Sequence, residues 1–146
     1  MKIDFYSVPD TLVSPIQYAP SEAGVDIYGG GWIGGNATHT GLVNLEESYY
    51  TMIECSFNTD LYQLTTVAVG KITAANKDYY FYRTTIVTQL PEHTCTGEVI
   101  INDGTGKFKG ATGTIPIKGF IEHPSRYLYF TGEGTITLVV GENHKK

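Results

Sequence analysis

The chain has 146 residues, of which 41% are hydrophobic and 17% are charged, and its formal net charge is −5. A chain of this length builds one domain with one core, and its low charge excludes an intrinsically disordered protein. The negative charge argues against binding to nucleic acid, because a duplex needs a basic face to neutralise its phosphates. Glycine and tyrosine are abundant, with 17 and 11 residues. Glycine-rich turns between aromatic and β-branched runs favour strands over helices.

The hydropathy of the chain bears on where the protein resides. No apolar run approaches the roughly 20 residues of a membrane-spanning helix, so no membrane segment is predicted. Residues 1–7 have no apolar signal-peptide core and carry an early Asp4. We therefore expect a cytoplasmic protein, or a secreted one if a signal peptide has been removed.

Apolar and polar residues alternate with a period of two along the chain, and no stretch shows a sustained helical period. Three prolines lie near the N-terminus, at Pro9, Pro15 and Pro20. We therefore expect residues 1–20 to form a strap or an edge segment, with an extended piece over residues 12–18. The strands expected after it, in chain order, are 21–34, 38–47, 49–57, 61–73, 78–90, 94–102, 113–123 and 127–140.

Turn residues separate the predicted strands. Asn76, within residues 74–78, is expected to adopt a positive φ, and residues 102–104 and 123–125 mark two more turns. Short connections between long strands imply antiparallel neighbours. About eight strands of this length close into a barrel or fold into a sandwich, and their sequential order favours the barrel. The predicted fold is all-β, a single antiparallel barrel of about eight strands over residues 1–146.

Three segments resemble known proteins: residues 35–41 (GNATHTG), 72–78 (ITAANKD) and 104–113 (GTGKFKGATG). In this order and spacing they resemble a group of small, uncharacterised bacterial β-barrel proteins, over residues 24–139. That group is similar to the calycin-like barrel fold of allene oxide cyclases, dirigent proteins and small bacterial cyclases. The group usually has an Asn-Gly-Asp turn in the second segment, where this chain has Lys77. The resemblance implies a barrel and, as one function, a cofactor-independent cyclase or isomerase.

The same segments have physical roles that need no family. Phe108 stands between two glycines, and its ring is expected to plug one end of the barrel. Asp103 is expected to accept hydrogen bonds from turn amides. Thr38 and His39 should take opposite faces of a strand, and one of them is expected to tie a loop to the sheet.

Motifs for several common chemistries are missing from the sequence. The glycine-rich residues 29–35 are not followed by the Gly-Lys-Ser/Thr of a phosphate loop, and no Gly-x-Ser-x-Gly elbow exists. The four histidines do not have the spacing of metal ligands, so neither a metal nor a cofactor is predicted. Cys55 and Cys95 are expected to be buried or half-buried thiols, which could pair only if their strands were neighbours.

Aromatic residues offer a surface for a ligand if the barrel is hollow. They are Tyr28, Trp32, Tyr50, Tyr62, Tyr80, Phe81, Tyr82, Tyr127 and Tyr129. Charged residues also fall within predicted strands, where an inward charge would mark a site. The predicted ligand-binding residues of the lumen are Trp32, Phe81, Arg83, Glu98 and Tyr129. The alternative is an exposed Arg83 on an outer face with exposed tyrosines, and an aromatic outer face would suggest a homo-oligomer.

Three functions stay open, and no catalytic residue is predicted. The first is binding of a small apolar molecule in the lumen, without covalent chemistry. The second is the cyclase or isomerase implied by the resemblance, in which the pocket folds a reactive polyene or epoxide. The third is a structural or oligomer-forming module. A cavity on the order of a few hundred Å³ with an inward charged or phenolic group would favour the first two, and a filled lumen the third.

Overall fold

The computed structural model of this protein describes residues 1–10, 29–122 and 127–139. Its strands are β1 (Lys2–Pro9), β2 (Gly30–Ala37), β3 (Gly41–Leu42), β4 (Tyr49–Asn58), β5 (Gln63–Thr73), β6 (Tyr79–Gln89), β7 (Thr94–Gly104), β8 (Thr112–Ile121), β9 (Leu128–Glu133) and β10 (Thr135–Thr137). Among the described residues, two single-turn 3-10 helices lie at Leu45–Glu47 and Gly106–Phe108. Within the described residues, no helix has the length and apolar character needed to cross a membrane.

Eight of these strands close into an antiparallel barrel, in the order β1, β9, β8, β7, β6, β5, β4, β2 and back to β1. The closing pair joins β1 to β2, from Ile3 opposite Ala37 to Pro9 opposite Gly31. The short β3 extends the pairing of β2, and β10 pairs with the start of β8. The predicted all-β barrel of about eight antiparallel strands is confirmed.

The N-terminal segment is a barrel strand. β1 pairs with β9 on one side and β2 on the other, so the prediction of a strap or edge is wrong for residues 2–9. Ile3, Phe5 and Ser7 point inward and are buried, in alternation with outward neighbours. Pro9, which suggested an edge, is the last residue of β1, so its missing N–H affects the ladder only at its end. The extended piece predicted over residues 12–18 lies outside the described residues.

Other differences from the predicted strands occur near turns. The strand expected over residues 38–47 is mostly absent, because His39 has a φ of 71° in a turn and only β3 is extended. The strand expected over residues 127–140 is interrupted at Gly134, between β9 and β10. The positive φ in the turn before β6 belongs to Lys77, at 77°, and not to Asn76. The side chain of Asn76 instead accepts a hydrogen bond of 3.0 Å from the amide of Asp78.

Side chains fill one end of the barrel. Phe108 is fully buried, and its ring meets that of Tyr80 edge-on, with 5.1 Å between the ring centres. Three isoleucines, Ile72, Ile101 and Ile115, are buried in the same cluster. The prediction that Phe108 plugs a barrel end is confirmed, and we call this half the packed half.

Hydrogen bonds fix the loops at the packed half. The Asp103 carboxylate accepts from the amides of Gly104 and Gly110, at 2.8 and 2.7 Å, and these bonds lower the pKa of Asp103. The Thr38 hydroxyl accepts a hydrogen bond of 2.9 Å from the amide of Lys2. The contacts predicted for Asp103 and for one of Thr38 and His39 are therefore confirmed, and Thr38 is the residue that makes the second.

Candidate functional site

The other half of the barrel is hollow. Inward side chains enclose a cavity of about 130 Å³ that reaches the barrel end where β1 finishes and β9 begins. Its apolar lining includes Phe5, Ile33, Leu64, Ile86, Val99 and Phe130. This volume is smaller than the cavity on the order of a few hundred Å³ that we expected for a ligand site. It is close to that of an apolar cavity of about 150 Å³ that stays dry and binds benzene or xenon in another protein.

Most polar groups in the cavity wall are already hydrogen-bonded to the protein. The hydroxyls of the three lining threonines all have partners. Thr84 Oγ1 donates to the carbonyl of Glu98 at 2.8 Å, Thr66 Oγ1 donates to that of Ile86 at 3.4 Å, and Thr88 Oγ1 shares a 3.3 Å hydrogen bond with Cys95 Sγ. The Tyr82 hydroxyl donates to the carbonyl of Tyr49 at 3.0 Å. These groups already have a partner within the protein and could offer a ligand only their remaining lone pairs.

Ser7 and Tyr50 are the exceptions in that wall. Both line the cavity, and neither side-chain hydroxyl has a hydrogen-bond partner within the described parts of the chain. The Tyr50 ring extends over β2, where Gly31 makes room for it, since a Cβ there would lie 2.8 Å from Tyr50 Cε1. Gly31 pairs with Pro9 of β1, so the ring lies on the side of the barrel that also carries Ser7.

Burial moves the pKa values of the phenol and thiol groups of the cavity further above physiological pH. Desolvation raises the pKa of Tyr50 to about 12, and the negative charge of Asp10 adds to the effect. Desolvation likewise raises the pKa of Tyr82 and of Cys95. None of the described residues lining the cavity is charged. The site can therefore enclose an apolar molecule and offer it hydrogen bonds, but its described lining holds no group poised to exchange a proton at pH 7.

The predicted ligand-binding residues lie on the outside of the barrel. Trp32 and Phe81 are 37% and 44% exposed, and Arg83 and Glu98 are exposed as well. The half-buried Tyr129 stacks on Phe120 of the outer face, with ring centres 5.4 Å apart. The prediction that these five residues line the lumen is wrong. The alternative of Arg83 on an outer face is the one that the structure bears out.

The error has a physical cause in β6. Its inward residues include Tyr80, Tyr82 and Thr84, and its outward residues include Phe81 and Arg83. Both faces of the strand carry aromatic side chains, so hydrophobicity does not distinguish them, and a slip of one residue exchanges the faces. Tyr50 and Tyr82 were already among the aromatic residues considered for a cavity. Ser7 was not predicted because the early prolines suggested a strap over residues 1–20. The sequence nevertheless places Ser7 on the same face of an extended strand as Phe5, with Tyr6 on the other face.

The cysteines match their predicted state. Cys95 is buried in the cavity wall on β7, and Cys55 is half-buried on β4. Their strands are not neighbours in the barrel, and both thiols are free. Burial raises the pKa of Cys55 to about 11, so neither thiol is activated as a nucleophile.

A second concavity of about 650 Å³ runs along β1, β2, β8 and β9 toward the packed half. It contains charges of both signs, and two of them, Lys2 and Glu133, form a solvent-exposed ion pair of 3.5 Å. Exposed ion pairs of this kind contribute little energy and are screened by salt. Across the described residues, no group of three or more His, Cys, Asp or Glu side chains is arranged to hold a metal ion. The interior cavity is thus the better candidate for a binding site.

Comparisons with known proteins add no evidence on function to that given by the cavity. No protein-family model matches the chain, and no match was found among curated proteins or solved structures.

Proposed function

We propose that this protein binds a small apolar molecule carrying one hydrogen-bonding group in the hollow half of its barrel. The proposal rests on the apolar cavity of about 130 Å³. Its wall includes the hydroxyls of Ser7 and Tyr50, which have no hydrogen-bond partner among the described residues. A ligand of about six heavy atoms, at a ceiling of about 1.5 kcal/mol per atom, gains at most about 9 kcal/mol. Affinities from micromolar to millimolar are therefore expected.

The polar group of the ligand follows from those two hydroxyls. A donor or acceptor left without a partner in an apolar site loses about 1–3 kcal/mol relative to one that is paired. A ligand hydroxyl or carbonyl would pair with Tyr50 or Ser7 and recover part of that loss. We therefore expect phenol to bind more tightly than benzene, by several-fold.

The cavity favours binding over the cyclase or isomerase suggested by the resemblance to allene oxide cyclase-like barrels. Such a reaction needs groups that steer developing charge, and the described lining offers hydrogen bonds but no charged side chain. The raised pKa values of Tyr50 and Cys95 also argue against proton transfer near neutral pH. A purely structural barrel would be more stable with both halves filled, since empty space in a core is destabilising. The unfilled half therefore argues against a purely structural role.

Filling the cavity tests the proposal. Ala68 lies in the wall and is 6% exposed, so Ala68→Leu places extra methyl groups in the empty space. Titrating benzene and phenol into isotope-labelled protein, with amide and methyl chemical shifts as the readout, should show saturable binding to the wild type. We expect Ala68→Leu to weaken both affinities at least about ten-fold, because the ligand loses its volume.

The matched control is Thr65→Leu, a substitution to the same residue on β5 with the side chain on the outer face. It should leave both affinities unchanged. A wild-type protein that shows no saturable shift with millimolar benzene or phenol would overturn the proposal. Equal binding by the wild type and Ala68→Leu would also contradict it, since binding would then lie elsewhere.

A further inference from the structure

The outer surface of strands β4 to β7 exposes large apolar side chains close together. Tyr49, Ile53, Phe81 and Ile100 are 43%, 44%, 44% and 41% exposed. Monomeric proteins expose single apolar residues freely, but contiguous apolar patches usually mark an interaction surface. We call this surface the β4–β7 face. It comprises the outward residues Tyr49, Thr51, Ile53, Glu54, Val67, Val69, Lys71, Phe81, Arg83, Thr85, Glu98 and Ile100.

The register of the strands orders the charges on this face. Arg83 lies in a cross-strand row between Val69 and Ile100. The next outward row toward the hollow half carries an acid at each side, Glu54 on β4 and Glu98 on β7. Arg83 and the two acids therefore occupy adjacent rows of a surface that also carries exposed apolar side chains and two threonines, Thr51 and Thr85.

These charges are not neutralised within the described part of the chain. The ion pairs there are Lys2 with Glu133 and Lys77 with Glu47, so Arg83, Glu54 and Glu98 have none. Lys71, the other cation, lies over the Tyr79 ring, with 4.5 Å from Nζ to the ring centre. Arg83 and the two acids thus remain available to a partner.

We propose that the β4–β7 face is the interface of a two-fold symmetric homodimer. The two-fold axis lies in the plane of the interface, perpendicular to the strands, and passes between the Arg83 row and the Glu98 row. Rotation about this axis places the Arg83 row of one copy over the Glu98 row of the other. Arg83 of one copy then comes beside Glu98 of the other, and the symmetry makes the same contact twice. The partner is a second copy of this chain because the face carries both its apolar patch and the charges complementary to its own. Tyr, Phe and Arg are also the residue types enriched in such interfaces.

Charge reversal tests this interface. Arg83→Glu places a second carboxylate beside Glu98 of the other copy, and Glu98→Arg places two guanidinium groups together. Because each contact occurs twice, either variant should raise the dimer dissociation constant at least about ten-fold, measured by sedimentation equilibrium. The matched control is Asp4→Arg, a charge reversal of an outward acid on β1, which lies on the opposite side of the barrel. It should leave the dissociation constant unchanged.

Mixing the two weakened variants gives the decisive result. An Arg83→Glu chain and a Glu98→Arg chain restore both opposite-charge contacts in a heterodimer, so the mixture should dimerise at least as well as the wild type. The double variant carrying both changes should also recover the homodimer. A wild type that is monomeric, or that forms an oligomer other than a dimer, would overturn the proposal. So would a dimer that neither reversal weakens, or a mixture that stays monomeric while both variants keep the native circular dichroism spectrum.

Discussion

At the scale of single residues, hydrogen bonding separates the polar side chains of the cavity into two groups. Thr66, Thr84 and Thr88 use their hydroxyls within the barrel wall. Ser7 and Tyr50 keep theirs without a partner in the part of the chain that the structure describes. A strand sequence shows which residues share a face, but it does not show whether a hydroxyl finds a carbonyl on the neighbouring strand. That distinction needed the register of the closed barrel.

Tyr50→Phe tests the polar contact of the proposed ligand. The change removes one hydroxyl and keeps the ring, so benzene affinity should be nearly unaffected. Phenol should lose most of its preference over benzene, about five-fold for a net hydrogen-bond contribution of about 1 kcal/mol. Calorimetric or chemical-shift titration of both compounds provides the measurement.

Tyr82→Phe is the control for this substitution. The Tyr82 hydroxyl already donates to the carbonyl of Tyr49, so its loss should reduce stability rather than ligand discrimination. We expect that variant to keep the preference for phenol. If Tyr50→Phe retained the full preference, Tyr50 would have no part in the site.

At the scale of elements, clear alternation allowed reliable prediction, and mixed alternation did not. In β8, buried Ile115 and Ile117 alternate with the exposed Thr114, Pro116 and Lys118, so its inward face is evident from sequence. In β6, aromatic and β-branched residues occur on both faces, and the inward orientation predicted for Phe81 and Arg83 is wrong. The burial of Phe108 was predicted correctly because a single large apolar residue among glycines and lysines is the one that the turn can bury in the core.

Phe108→Ala measures the importance of the packed half. Removing a fully buried ring that contacts Tyr80 should lower the free energy of unfolding by about 3–5 kcal/mol, because it leaves a void. Denaturant unfolding monitored by circular dichroism provides the value. Lys109→Ala, the adjacent exposed position, is the control and should change stability by less than about 0.5 kcal/mol. Similar losses in both variants would mean that Phe108 does not plug the barrel.

At the scale of the whole molecule, closure and filling are separate properties. The number of strands and their short connections predicted closure, since long sequential antiparallel strands have few other arrangements. The division into a packed and a hollow half depends on which inward residues meet in each layer. β1 contributes Phe5, Ser7 and Pro9 to the hollow half through its pairing with β2 and β9, contacts that are distant in sequence. Periodicity within single strands carries no information on those long-range layers.

The most direct test of the binding proposal is to locate a bound probe inside the wild-type barrel. Nuclear Overhauser effects between benzene protons and methyl groups of the protein report contacts at short range. We predict contacts to the inward methyls of Ile33, Leu64 and Ile86, and none to the outward methyl groups of Ile100. The absence of contacts to the three lumen residues, or contacts confined to outward residues such as Phe81 and Ile100, would contradict the claim that the hollow half binds apolar molecules.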